Sequence, residues 1–317
     1  MVQAEKAFKK ILVPVDGSVP SAAARDTAAD LAKKFDSSLT VLYVVSHELM
    51  SPTMQKYQEP DDRHQHPHVG FSTGSVGFPV PVHAEEAPGN GGILEKVADE
   101  VSDLYKEEGE DILSDAVDAL KEEGVIADKK LVIRSDPANT ILNESEKYDL
   151  IILGNSAEEE KEQHLGSVAK KVAHRAKIPV LVTRGKRDVS KILVPIDGSE
   201  YSSRTLRYAS MLAARTKAKV TLLYVQETSI FRFRPNVTKE IGNRVLSNAT
   251  TQLKELQPEQ RLESGDPAKT ILKIAKKDDF DLIVMGSRGH STTEMFTLGS
   301  VGDHVVQYAD RSVLLTK

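Results

Sequence analysis

The chain has 317 residues, with 42 Lys and Arg against 47 Asp and Glu, a net charge of −5. That balance lacks the basic excess or stripe of a nonspecific nucleic-acid binder. The absence of cysteine removes disulfides, thiolate-bound zinc, iron–sulfur clusters and thiol catalysis together. Length gives an expectation of two domains, and with no Trp and 5% aromatics their cores must be built from Val, Ile, Leu and Ala. Residues 1–10 are polar and run directly into a five-residue apolar stretch. No apolar run approaches the roughly 20 residues that span a bilayer. The expectation is a cytoplasmic protein without nucleic-acid or membrane partners.

In chain order, the first signal is Lys10-Ile11-Leu12-Val13-Pro14-Val15-Asp16-Gly17-Ser18, an apolar run closed by Asp-Gly, which predicts a buried strand and a turn. Residues 46–92 carry Pro52, Pro60, Pro67, Pro79, Pro81 and Pro88, several glycines and no sustained period; they read as a long loop. Within it His64, His66 and His68 alternate, with His83 nearby. Alternating histidines can share a divalent ion, but a Pro-rich loop gives them no fixed geometry, so a solvated loop is the expectation and no metal site is assigned. Residues 93–123 are strongly helical and hold twelve acidic residues against three lysines; they read as a solvated helix face rather than an acidic docking surface. Asp136-Pro137-Ala138 follows, then Asp149-Leu150-Ile151-Ile152-Leu153-Gly154.

Every one of these ordered segments returns. Lys191-Ile192-Leu193-Val194-Pro195-Ile196-Asp197-Gly198-Ser199 repeats the opening at an offset of 181, and Asp266-Pro267-Ala268 repeats the second segment. Asp281-Leu282-Ile283-Val284-Met285-Gly286 repeats the third at an offset of 132, so the first copy carries 49 additional residues. The chain is a tandem duplication, with domains expected at 1–186 (containing the 46–92 insertion) and 187–317. In the second copy the pattern predicts strands at 192–196, 220–225, 261–264, 282–285 and 313–316. Helices are predicted from Ser199, as N-cap, to about Arg215, then at 235–256, 270–277 and 299–308. Near-continuous apolar strands alternating with amphipathic helices imply a parallel sheet covered on both faces.

The chemistry concentrates in Gly286-Ser287-Arg288-Gly289, nine further residues, and Gly299-Ser300-Val301. Gly286 closes a predicted strand, where open α/β sheets bind ligands. Glycines at 286 and 289 let backbone approach a ligand closely, and Gly299-Ser300 opens a helix whose free N–H groups attract anions. Arg288 and His290 read as exposed loop positions, an accessory phosphate contact being the alternative. His304, one turn past Ser300, is expected to face solvent or a neighbouring helix. The run of Ser and Thr over 291–297 is ordinary polar loop composition. No Gly-x4-Gly-Lys-Ser/Thr loop, His-Glu-x2-His or Gly-x-Ser-x-Gly motif occurs, and no catalytic residue is assigned.

The repeated Val-Pro-Ile-Asp-Gly-Ser strand end, the Asp-Leu-Ile-Val-Met-Gly-Ser-Arg-Gly stretch and the Gly-x2-Gly-x9-Gly-Ser spacing resemble the universal stress protein family in its tandem two-domain form. The resemblance covers nearly the whole chain outside the insertion. It implies an α/β fold of two Rossmann-like domains, each a five-stranded parallel sheet of order 3-2-1-4-5 between helices. Their fifth strands, at 180–183 and 313–316, would pair across a pseudo-twofold axis as in a homodimer, and two chains can pair further. It also implies ATP as cofactor, with Mg2+ as an optional companion, in the second copy. Carried over by motif, Asp197 would hold the ribose, with Pro195 and Ile196 near the base and Val225 against its edge. Met285 and Gly286 would lie beside base and sugar, and Gly289, Gly299, Ser300 and Val301 would bind phosphates.

The first copy departs from the motif. It keeps Asp16, Gly154, Gly166 and Ser167, but has Ala157 in place of Gly289, a loop one residue shorter, and Glu158, Glu159, Glu160 and Glu162 against Lys161. Acidic side chains repel a triphosphate, so this copy is expected to be a degenerate second site. The expected function is a nucleotide-binding stress-response regulator. A slow ATPase or nucleotidyl transferase, and a metal-binding, small-ligand or chaperone-like module, are the alternatives.

Overall fold

The computed structural model describes residues 8–46, 91–134, 136–155, 165–185, 188–227, 235–289 and 298–317. Five strands form the first repeat: β1 (Lys10–Pro14), β2 (Ser38–Ser46), β3 (Ala127–Arg134), β4 (Leu150–Gly154) and β5 (Val180–Thr183). Its helices are α1 (Val19–Phe35), α2 (Gly91–Glu122), α3 (Pro137–Ser145) and α4 (Ser167–Arg175). The second repeat holds β6 (Lys191–Pro195), β7 (Lys219–Gln226), β8 (Glu259–Ser264), β9 (Leu282–Gly286) and β10 (Ser312–Thr316). Its helices are α5 (Glu200–Thr216), α6 (Pro235–Gln252), α7 (Pro267–Lys277) and α8 (Ser300–Tyr308). The insertion's histidines (His64, His66, His68, His83) lie outside the described residues. Among the described residues no helix is long and apolar enough to cross a membrane.

All ten strands join one sheet, in the order β3-β2-β1-β4-β5-β10-β9-β6-β7-β8, so each half has the expected 3-2-1-4-5 order. Pairing is parallel throughout each half, as in β1 with β2 and β4 and β6 with β7 and β9. The halves meet where β5 runs antiparallel to β10, with Leu181 opposite Leu314. Side chains alternate across the sheet. Ile11, Val13, Leu181 and Leu314 pack under α1, α2, α5 and α6, while Leu12, Val180, Val182, Val313 and Leu315 pack under α3, α4, α7 and α8. Both layers run through the seam without a break, so the two halves share their core.

Side chains reinforce that seam. Phe8 stacks on Tyr208 of α5 at 5.5 Å between ring centroids. The Ser312 hydroxyl accepts from the Arg184 amide and donates to its carbonyl, both at 3.0 Å. Two cations then cross over as symmetric counterparts, each from the residue after its half's last strand. Arg184 Nη2 donates to Val306 O at 2.8 Å, and Lys317 Nζ to Ala173 O at 2.7 Å. Each carbonyl lies two residues from the end of α8 or α4, where a cation also meets the negative end of the helix dipole. Burial pushes the Arg184 guanidinium down to about 10, against the pull of Asp310. Burial, and then the charge of Arg288, push the Lys317 amine down to about 8. His174 Nε2 of α4 meets Asp303 Oδ1 of α8 at 2.8 Å.

Local differences from the sequence expectation have physical reasons. Helix α7 begins at Pro267 rather than 270, because the Asp266 carboxylate caps it from the Lys269 amide at 2.9 Å and Pro267 stands in the first turn. Ser199 occupies the N-cap position of α5, yet its hydroxyl makes no cap bond. Its amide donates to Asp197 Oδ1 at 2.9 Å. In the first repeat Ser18 does cap α1, accepting from Ser21 N at 3.3 Å.

Two outcomes follow from the shared core. Leu314 is 1% exposed, and Leu314→Ala should cost about 2–5 kcal/mol while leaving a single unfolding transition in denaturant; two separated transitions would contradict a common core. The Lys317 amine binds fewer protons folded than unfolded between about 8 and 10.5, so its contribution to stability rises with pH across that window. The stability of the wild type relative to Lys317→Met, read from thermal midpoints, should therefore climb through the window. A flat difference contradicts a buried charged amine.

Candidate functional site

The crevice of the second half forms where β6 and β9 end and chain leaves for opposite faces of the sheet. Pro195 ends β6. Ile196 is 6% exposed and ties its amide to Leu223 O at 2.9 Å. Asp197 then accepts from the Ser199 amide and the Ser202 hydroxyl, each at 2.9 Å, through Oδ1. Ser202 is a site residue the motif reading passed over; its signal was present, since Ser21 stands at the same offset in the first copy. The Ser199 hydroxyl is buried and without a partner among the described residues. The Tyr224 hydroxyl is held above its ordinary pKa by burial and then by the charge of Asp197.

One of the glycines presses on this carboxylate. A Cβ on Gly289 would stand 2.5 Å from Asp197 Oδ2, so the loop touches Asp197 only because the side chain is absent. On Gly286 a Cβ would lie 3.0 Å from Arg288 O and 3.6 Å from Tyr201 Cβ. The Gly299 amide donates to Ser287 O at 2.8 Å, which fixes the start of α8 beside the end of β9. Gly299 is the N-cap at φ −65 and ψ 154, with no side chain capping the helix. The amides of the following turn have no partner within the helix, and Ser300 at its head is exposed. Val301 and Val225 are half-buried against the core layer of α7 and α8. Met285 is 5% exposed in that same layer, so its side chain packs in the core.

Arg288 corrects the expectation of an exposed loop position. It is half-buried, its guanidinium lies 5.6 Å from the Tyr201 ring centroid, and Nη1 donates to the Tyr201 hydroxyl at 3.2 Å. The aromatic face offers a cation a favourable seat. His304 meets Tyr308 of its own helix at 4.6 Å between rings. His290 and residues 291–297 lie outside the described residues.

The first half repeats the frame. Asp16 Oδ1 accepts from the amide and hydroxyl of Ser18 at 3.1 and 2.5 Å. The Gly166 amide donates to Asn155 O at 2.9 Å, and Ser167 heads α4, also without a side-chain cap. A Cβ on Gly154 would meet the carbonyl carbon and oxygen of Pro20 at 2.5 Å, so the start of α1 sits directly on this glycine. Ala157, Glu158, Glu159, Glu160, Lys161 and Glu162 lie outside the described residues.

Comparison with known proteins agrees with this architecture. A crystal structure of a universal stress protein from Archaeoglobus fulgidus is similar over 98% of both chains, with TM-score 0.66 and 22% identity; at that identity the likeness concerns the fold. A universal stress protein of Synechocystis is 24% identical over 97% of this chain and 99% of its own length. A single-repeat relative from Bacillus subtilis is 35% identical over 40% of this chain and 99% of its own. The model of the universal stress protein family matches residues 7–67, 80–184 and 189–317, nearly the whole length, and the chain therefore belongs to that family.

Proposed function

We propose that this universal stress protein binds ATP in its second half and acts as a nucleotide-responsive regulator, the first half being a degenerate site. One observation carries the proposal: an uncapped helix start at Gly299 is bonded to the same loop whose Gly289 presses against Asp197. Donors for an anionic tail and an acceptor for sugar hydroxyls are thereby held on one short segment. The residues suit the ligand in chemistry as well as in place. N–H groups at a helix start meet phosphate oxygens without any lysine, the Ser300 hydroxyl adds a donor, and a carboxylate accepts from ribose hydroxyls. The buried Ser199 hydroxyl, without a partner among the described residues, adds a polar group beside Asp197.

Each group has a separable role. Asp197, steadied by Ser202, orients the sugar. Gly286 and Gly289 keep the floor of the crevice free of Cβ atoms, and the first turn of α8 receives the phosphates. Pro195, Ile196 and Val225 offer apolar surface to the base. Mg2+, where present, would supply charge for the phosphate tail. In the first half the close seat of Pro20 on Gly154 supports weaker binding or none.

Gly299 allows a sharp test. Its φ of −65 suits any residue, and Asp is a favoured N-cap, so Gly299→Asp should hold or raise stability by a few tenths of a kcal/mol. The same carboxylate occupies the amides and repels phosphate, so ATP affinity by isothermal titration should fall at least about tenfold, or about 1.4 kcal/mol. Undiminished affinity in this variant overturns the assignment. Denaturing the purified protein should release intact ATP, at most one equivalent per chain, by mass spectrometry. Steady accumulation of ADP during incubation with ATP would instead favour the slow ATPase.

A further inference from the structure

A surface cleft of about 330 Å3 opens beside the seam, on the first half's side. Much of its wall is apolar, with Val19, Pro20 and Ala23 from the first turns of α1 and Ala309 just past the end of α8, while Asn155, Thr183 and Asp310 add polar groups. Val19 is 73% exposed, large for an apolar side chain left to water. Arg184 is the cation among its lining groups.

The hydrogen bonding of Arg184 is incomplete. Nη2 donates to Asn155 Oδ1 at 2.5 Å and to Val306 O at 2.8 Å. Nε and Nη1 are buried and have no hydrogen-bond partner among the described residues, which leaves three of the five guanidinium N–H donors unused there. A buried cation in that state favours an anion alongside it. Asp310 at the rim pulls on that charge, but its Oδ1 accepts from Arg311 Nε at 2.7 Å, and neither of its oxygens fills the open donors of Arg184.

The second half shows what the same frame looks like when filled. The counterparts of Pro20 and Ala23, at the offset of 181, are Tyr201 and Arg204. Tyr201 carries Arg288 on its ring, and Arg204 Nη1 donates to Lys317 O at 2.6 Å. Lys317 is itself the counterpart of Arg184. The cleft exists because two long side chains of the second half are replaced by Pro and Ala in the first.

We propose that this cleft binds a short-chain organic monocarboxylate, with its carboxylate against Arg184 and its hydrocarbon body against Val19, Pro20, Ala23 and Ala309. One charge matches one guanidinium, and apolar walls favour a hydrocarbon body over the multiply charged surface of a phosphate. The site is separate from the crevice assigned to ATP and does not rest on that assignment.

Hexanoate is the probe, and its neutral amide, hexanamide, the control. Titration of the full chain, followed through the arginine Nε–H resonances and by calorimetry, should saturate with hexanoate and not with hexanamide. Ala23 lies at an exposed helical position, where leucine is a good helix former. Ala23→Leu should keep the fold and weaken hexanoate at least about tenfold, or about 1.4 kcal/mol. Saturating ATP should leave hexanoate bound. Absence of saturation, equal binding of the amide, unchanged affinity in Ala23→Leu, or displacement by ATP would each overturn the proposal.

Discussion

The antiparallel pairing of β5 with β10 is the constraint on which the rest of the molecule depends. Taken alone, either half would end in an apolar edge, Val180, Leu181 and Val182 or Val313, Leu314 and Leu315, all buried here. An edge of that kind recruits other strands, and each half gives its own to the other. The outer edges that remain are β3 and β8, and both are charged: Asp128, Lys129 and Lys130 on one, Glu259, Arg261 and Glu263 on the other. Because the seam is antiparallel, the carboxyl end of one half's sheet lies beside the amino end of the other's. That geometry is why the residue following β5 reaches α8 and the residue following β10 reaches α4.

The two halves use one frame and decorate it differently. In both, a strand-end aspartate is held by serines of the following turn, and a glycine N-cap is bonded back to the residue after the fourth strand. The contents of the α1 and α5 first turns then separate them. Pro20 sits down on Gly154, whereas Tyr201 stands off Gly286 and carries Arg288. Small side chains in one half and long ones in the other turn equivalent positions into an open cleft and a filled corner.

Much of this is legible in the amino-acid sequence, and the reason is repetition. Each apolar run appeared twice with the same flanking Asp-Gly-Ser or Asp-Pro-Ala, so strand and helix assignments supported each other, and strand order followed from the family resemblance. What stayed out of reach were contacts between residues far apart in sequence. Nothing local marks Arg288 as seated on Tyr201, a contact between distant segments of the second half, or Lys317 as bonded to α4, which depends on how the halves face one another. Ser199 stands at the N-cap of α5 as its place before a helix implies, but its hydroxyl makes no cap bond, whereas Ser18 caps α1 although its amide likewise donates to the strand-end aspartate; no local sequence feature separates the two. The Met285 side chain likewise belongs to the core layer although its position in the motif lies beside the ligand.

Covalent linkage of the repeats has one consequence visible at His174 and Asp303. A symmetric homodimer makes every contact across its axis twice, so no change can touch one site alone. Here the mirror positions of this contact hold Gln307 and Lys170, and the imidazole–carboxylate contact occurs once, at the first turn of α8 only. Duplication within a single chain has thus released the protein from enforced equality: one crevice can be tuned by its neighbour while the other evolves under different demands.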